Sequence, residues 1–370
     1  MTSSISEFLQ DRIDANDFPS AVYAVSRNGR IVLQNSLGFA VRGPNSVKAT
    51  NETIYDLASL TKVLVTGLLA AKLLENGAFS LSDNVARFLP EFNTEDKRSI
   101  TVENLLTHTS GLCAWKPFYL LVDEPAGILP TIAGLKPDNP VGTKVVYSDL
   151  NFLVLKELIE KSFGKTIDEA AREQIFEPLG LKDTFFNPPK ELLPRIAASE
   201  NGNVYERNTC LELGFDVEKH AERFRTNLIH GEVHDGNCYF MNGVSSHAGL
   251  FSTAAETVTI AEQFLASRSS VLKPETCAIF RKNFTPDLNE ARSIGFQLAE
   301  TPESTAGSKL AKDSFGHLGF TGTSVWVEPQ SDSVFVLLTN RTHDHELPFV
   351  NINSTRRTFH DLASQLLSGA

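Results

Sequence analysis

The chain has 370 residues, enough for one large domain or two of ordinary size around a substantial buried core. It carries 34 Lys and Arg against 45 Asp and Glu, a formal net charge of −11. That acidic balance, with no basic block, argues against nucleic acid or an anionic membrane as the main partner. A hydrophobic fraction of 41% excludes a disordered tail and a membrane bundle alike.

Taken in chain order, residues 1–12 lack the basic, apolar and small-residue regions of a secretory leader. They predict an amphipathic helix capped by Ser4 or Ser6. The longest apolar run, residues 63–74, is interrupted by Lys72 and is too short to span a bilayer. A soluble, cytoplasmic protein with no membrane span is expected. Residues 20–26 and 30–35 read as strands flanking Asn28-Gly29, a strong hairpin-turn pair. Residues 59–75 are apolar almost all round and predict a buried helix that stops before Gly77. A short helix from Thr101 closes at Gly111, and an amphipathic helix over 148–162 closes at Gly164. Further helices are predicted over 166–176, before Pro178, and over 253–266. Residues 201–242 show little periodicity and predict long loops. Segments 293–298, 314–320, 323–327 and 333–338 are β-rich, with residues 328–332 turning between the last two. A helix over 353–367, capped by Asn353, closes the chain.

Strands at both ends with helices between them predict an α/β (α+β) fold: an antiparallel sheet built from both termini, flanked by helices, with a largely helical insertion. The expected division is 1–60 plus 250–370 for the discontinuous sheet domain, and 61–249 for a mainly helical region with active-site loops. Cys113, Cys210, Cys238 and Cys277 lie far apart with no C-x-x-C pair, so buried or neutral thiols are expected.

Several signatures are absent: no G-x-S-x-G elbow, H-E-x-x-H helix or G-x-G-x-x-G turn. Gly164-Lys165-Thr166 is not a phosphate loop, because Ile159 stands where the earlier glycine belongs. The pattern S-x-x-K occurs three times. Ser270 to Lys273 lies in a loop, and Ser162 to Lys165 straddles a helix end. Only Ser59-Leu60-Thr61-Lys62 opens a long apolar helix. Three residues apart on a helix, both side chains share a face. The helix dipole favours an alkoxide at Ser59, and a lysine in an apolar setting loses its proton more easily and accepts one from the serine. The bland alternative is a capping serine beside a solvated lysine. Tyr147-Ser148-Asp149 opens the next long helix, and its tyrosine is either a proton relay or a core residue with a bonded hydroxyl. His317-Leu318-Gly319-Phe320 is a β-type segment whose glycine lets a substrate approach backbone closely. A competing His247-Ala248-Gly249 leads into a helix instead.

Ser59-x-x-Lys62, Tyr147-x-Asp149 and His317-x-Gly319, in this order, resemble the three motifs of the serine β-lactamase and penicillin-binding protein superfamily. The branch is that of class C β-lactamases, D-alanyl-D-alanine carboxypeptidases and related esterases. Residues 100–112, 175–181 and 247–253 look alike as well, so that the resemblance runs from about Phe18 to Leu367. It implies Ser59 as the acylated nucleophile, with Lys62 and Tyr147 moving its proton to the leaving group and Tyr147 then helping to activate the deacylating water. It implies an oxyanion hole from the N–H groups of Ser59 and Phe320, and neither cofactor nor metal. The implied partner is a small-molecule ester, amide or D-amino peptide. An ester or small amide is expected first. β-Lactamase, D,D-carboxypeptidase or D-aminopeptidase activity is the alternative, and a non-catalytic penicillin-binding-like protein a third.

Two positions depart from the family pattern. Asp149 stands where many members have asparagine; a carboxylate only accepts, so it binds a donor or pairs with Lys62. His317 stands where β-lactamases commonly have lysine, and a neutral histidine attracts a substrate carboxylate less. Asn151 is expected to point elsewhere on its helix. His343-Asp344-His345-Glu346 reads as a polar loop rather than a metal site. His108 is expected to bond helix-end carbonyls. Trp115, Phe118 and Tyr119 either wall a pocket or pack into the core.

Overall fold

The computed structural model describes residues 3–368. Its strands, in chain order, are β1 (Ser20–Arg27), β2 (Arg30–Val41), β3 (Val47–Lys48), β4 (Tyr55–Asp56), β5 (Phe185–Phe186), β6 (Leu250–Ser252), β7 (Gln297–Leu298), β8 (Phe315–Leu318), β9 (Ser324–Glu328) and β10 (Ser333–Thr339). Seven of them form one antiparallel sheet in the order β3-β2-β1-β10-β9-β8-β7. The sheet thus joins the first strands of the chain to the last, as expected. Asn28 and Gly29 both take positive φ (53° and 72°), the two-residue turn that matches strand twist.

Both faces of the central strands are buried, and side-chain alternation sorts them. Ala21, Tyr23, Val25, Phe335 and Leu337 pack against the first helix (Ser3–Asp14) and the last (Asn353–Ser368), through Ile5, Leu9, Phe359 and Ala363. Val22, Ala24, Val334, Val336 and Leu338 face the other way, into a larger core with the helical stretch after Ser59 and the helix Asp149–Phe163. No helix among the described residues is long and apolar enough to cross a membrane.

A three-stranded sheet, β4-β6-β5, ties residues 55–56 to 250–252 and 185–186. It brings the chain before Ser59 against the chain after His247, where the Leu57 N–H donates to the Leu250 carbonyl at 2.9 Å.

Several expectations need correction. Ser4 and Ser6 do not cap the first helix, which already includes Ser3; Ser6 shares a hydrogen bond with the Tyr23 hydroxyl instead. The helix after Ser59 is not uniform: a 3-10 turn (Ala58–Leu60) leads through a π-type segment (Lys62–Gly67) to an α-helix (Leu68–Glu75). Strand 293–298 shrinks to β7. Asn353 opens the last helix, but its side chain accepts from Arg356, and its own N–H donates to Asn351. Residues 201–242 are not all loop: they hold a helix, Val204–Glu212, and a shorter one, Gly236–Phe240. The first buries only Glu206 and Cys210, so it has no apolar stripe for periodicity to detect. The four cysteines are free thiols, all but Cys113 buried.

Candidate active site

Ser59 sits just beyond β4 on a strained turn. Ala58 has φ +48°, an uncommon conformation for a residue with a Cβ. Asp56 fastens this turn: one carboxylate oxygen accepts the Ala58 N–H at 2.8 Å, the other the His234 N–H at 2.7 Å. Ser59 opens onto a cavity of about 540 Å³, also lined by Trp115, Tyr147, Glu206, Asp235 and His317.

Lys62 is fully buried. Its Nζ donates to Ser59 Oγ at 3.0 Å and to the His247 carbonyl at 3.0 Å, and lies 2.7 Å from Asp149 Oδ1. Burial by itself lowers the lysine pKa, but the nearby Asp149 charge, aided by Tyr147, outweighs it and the net shift is upward. This direction runs against the expectation of a lysine that loses its proton easily. The serine's neighbour is an ammonium, and Asp149 holds it so.

The Tyr147 ring lies 5.1 Å from Lys62 Nζ and 5.7 Å from the His317 ring. Removal of its hydroxyl from water raises its pKa, and Lys62 only partly opposes this, so the phenol keeps its proton. His108 fixes the segment, though not as expected. Its Nδ1 accepts the Ser148 N–H at 3.1 Å and its carbonyl the Val146 N–H at 2.9 Å, gripping Tyr147 from both sides. Its ring therefore serves a helix start, not helix-end carbonyls. Asn151 turns away from the cavity and accepts from Ser110.

On the opposite edge, β8 presents His317. Its Nδ1 donates to the Leu318 carbonyl at 2.8 Å, and burial, with Lys62 and Arg292 nearby, pushes its pKa well below the usual histidine value. Nε2 is thus a bare acceptor, buried and without a partner among the described residues. Gly319 is required by close approach: a Cβ there would lie 2.0 Å from Thr323 Oγ1 and 2.5 Å from the Leu57 carbonyl. Thr321 and Thr323 donate to the carbonyls of Asp56 and Leu57 at 2.7 and 2.9 Å, locking this turn onto the turn of Ser59. The N–H of Phe320 donates to no acceptor among the described residues.

The structure therefore gathers Ser59, Tyr147, Asp149, His317, Gly319 and Phe320 around one cavity, with Lys62 buried behind Ser59. It adds residues that sequence reasoning missed. Asp235 accepts from His247 Nε2 at 3.0 Å and caps the helix that follows it. Glu206 accepts from the Tyr119 hydroxyl at 2.9 Å and from the Gly236 N–H at 2.8 Å. Glu290 and Arg292 pair at 2.8 Å in the cavity wall. An Asp directly before a short helix was the available signal for Asp235; His247 contributes a main-chain carbonyl, which no motif records.

Asp149, Asp235 and His247 offer ligand atoms within 4.8 Å of one another, but the Lys62 ammonium already lies among them. His343 has both ring nitrogens engaged, with the Arg42 N–H at 2.8 Å and the Ser199 carbonyl at 3.0 Å, which supports the polar-loop reading. Trp115 lines the cavity, while Phe118 and Tyr119 are buried away from solvent.

Comparison with known proteins shows the family and the fold. The β-lactamase family model matches residues 5–355. An N-acetylmuramyl-L-alanine amidase of Bacillus subtilis (strain 168) is 30% identical over 362 residues, covering 90% of this chain and 79% of its own. A Salmonella typhimurium protein provisionally named a D-alanyl-D-alanine carboxypeptidase is 30% identical over 366 residues, covering 91% and 82%. Among solved structures, EstCE1, a hydrolase with promiscuous acyltransferase activity, superposes with a TM-score of 0.73 at 20% identity, over 96% of this chain and 97% of that one.

Proposed function

This chain belongs to the β-lactamase family, and on that premise we propose that it is a serine hydrolase in which Ser59 is acylated by an ester or small amide. The observation that carries the reading is the position of Ser59 Oγ, 3.0 Å from a buried ammonium and on a turn laced to the free Phe320 N–H. Both the alkoxide that attacks and the oxyanion that forms then meet preorganised positive charge.

Because Lys62 is cationic and Tyr147 a neutral phenol, the proton path follows from those states. As Ser59 Oγ bonds to the acyl carbon, its proton passes to the Tyr147 oxygen and the Tyr147 proton passes to the leaving group. The phenol thus relays without becoming a free phenolate. Lys62 stabilises the developing alkoxide, and Asp149 keeps Lys62 charged and aimed. A water then enters, and the same relay in reverse supports attack on the acyl-enzyme. At His317 the bare Nε2 favours a substrate that offers an N–H or O–H donor there, and disfavours a carboxylate.

The names of the two 30%-identical relatives support a second reading, an amide or D-amino peptide in place of an ester. A panel of p-nitrophenyl esters, nitrocefin and D-amino-acid p-nitroanilides decides among these, with Ser59→Ala as control. Turnover of any member that survives Ser59→Ala, or fluorophosphonate labelling of that variant at the wild-type level, refutes the nucleophile.

A further inference from the structure

Two arginines stand behind the turn that carries the Phe320 N–H, and neither has a carboxylate within ion-pair distance among the described residues. Arg356, from the last helix, is 5% exposed. It donates through one guanidinium nitrogen to the carbonyls of Gly319 and Thr323, both at 2.9 Å, and through another to Asn353 at 2.9 Å. Arg341 donates to the carbonyls of Phe320 at 2.7 Å and Val350 at 2.8 Å.

Burying a cation without a counter-charge is unfavourable, and an apolar or neutral residue serves packing better. Burial pushes the Arg356 pKa down to about 9, which still leaves it cationic at neutral pH. What the arginine touches gives the charge a use. The Gly319 carbonyl and the Phe320 N–H are the two ends of one resonant peptide group. That carbonyl accepts twice, from Arg356 and from the Gly322 N–H at 3.1 Å. Donors at the oxygen end draw electron density from the nitrogen and strengthen the N–H as a donor, as in any hydrogen-bonded chain. Arg341 grips the following peptide, Phe320–Thr321, whose N–H is not the proposed oxyanion donor.

We propose that Arg356 is a positioning residue for the acyl-transfer reaction: through the Gly319–Phe320 peptide it strengthens the Phe320 N–H toward the oxyanion and places fixed positive charge behind it. The proposal rests on the acyl-enzyme reading above. It gives the last helix a part in the chemistry through a peptide group, from a side chain that borders the same cavity as Ser59.

The test compares wild type, Arg356→Met and Arg356→Lys on an ester whose acyl carbonyl carries ¹³C, by steady-state kinetics and by infrared difference spectra of the acyl-enzyme. Expected for Arg356→Met is a fall in kcat of roughly ten- to hundredfold, less than loss of a whole oxyanion donor, with KM within about threefold. The acyl carbonyl band moves to higher wavenumber, and Arg356→Lys recovers most of both effects. Should Arg356→Met not fold, Arg356→Gln, a neutral donor, shifts the band in the same direction by less. An unmoved band in the Met or Gln variant, whatever happens to kcat, makes the arginine structural and overturns the proposal. A wild-type enzyme that forms no acyl-enzyme overturns the underlying reading as well, and the two failures are told apart by that wild-type spectrum.

Discussion

The two walls that face each other across Ser59 differ in charge and in construction. The strand wall, from His317 to Thr323, is backed by Arg341 and Arg356, and its only aromatic side chain at the cavity apart from His317 is Phe320, stacked 5.4 Å from His234. The facing wall collects Glu206 and Asp235 from the helix Val204–Glu212 and a neighbouring loop, with Glu200 behind it, 2.8 Å from His234. Lys62 and Asp149 form a closely paired dipole between them. In a cleft of low dielectric, such an asymmetry sets a direction: negative charge that develops on an acyl oxygen is stabilised toward the strand wall, and cationic or donor groups toward the loop wall. The proposed acyl transfer draws mainly on the first wall. On that proposal, discrimination among donor or cationic groups of the substrate is expected of the second.

The largest effect comes from removing the atom that lies between the walls. Ser59→Ala keeps both and is expected to lower turnover by about 10³-fold or more, in line with loss of other serine nucleophiles. Binding of an unreactive substrate analogue should change little. Loss of binding instead of turnover would break the comparison at its root.

Gly319→Ala attacks the strand wall alone. Its Cβ would meet Thr323 and the Leu57 carbonyl well inside contact distance, so the turn must move away from Ser59. A shift of about 1 Å at such a place costs on the order of 10²-fold in kcat. Rate and melting temperature measured together show whether the wall has moved or the protein has unfolded.

Asp149→Asn tests the central pair. With the carboxylate gone, burial, which lowers the Lys62 pKa, is opposed by Tyr147 alone among its main influences. If the reaction needs the ammonium, the alkaline limb of kcat/KM moves to lower pH and the rate at pH 8 falls, by roughly tenfold for about one pKa unit of overlap. If a neutral lysine were the base, as the sequence alone suggests, the same substitution would raise the rate at neutral pH. The pH profile separates the two by sign.

The strand wall was largely legible in the sequence and the loop wall was not. β1, β2 and β10 announce themselves through runs of β-forming residues and the Asn28-Gly29 turn, and the motif residues Ser59, Tyr147 and His317 are reached by pattern. What escaped shares a physical cause. Arg356 lies on a helix whose apolar face is clear, and nothing in that periodicity tells a buried arginine from an exposed one. The helix of Glu206 has no apolar stripe, because its buried side is made by a carboxylate and a thiol. The pairing of Asp149 with Lys62, by contrast, is one of two readings open from the motif, and the 2.7 Å contact decides between them.

The smallest expected effect sits deepest in the loop wall. Burial, reinforced by the charge of Asp235, pushes the Glu206 carboxyl from an ordinary value of 4.5 up to about 7. The folded protein therefore holds this proton more tightly than the unfolded chain does. Stability linked to it is fully present below pH 4.5, declines as pH rises from there, and is gone above about 7. Glu206→Gln has no proton to lose: its amide oxygen keeps the Gly236 N–H, and the Tyr119 hydroxyl turns to accept from the new NH₂. The variant and the wild type should therefore melt together near pH 4.5. By pH 8 the wild type should lie lower by a few degrees, on the order of 2–4 °C. A gap that stays constant between pH 4.5 and 8 means that the carboxyl is ionised throughout, and that the loop wall is more negative at neutral pH than the raised Glu206 value implies.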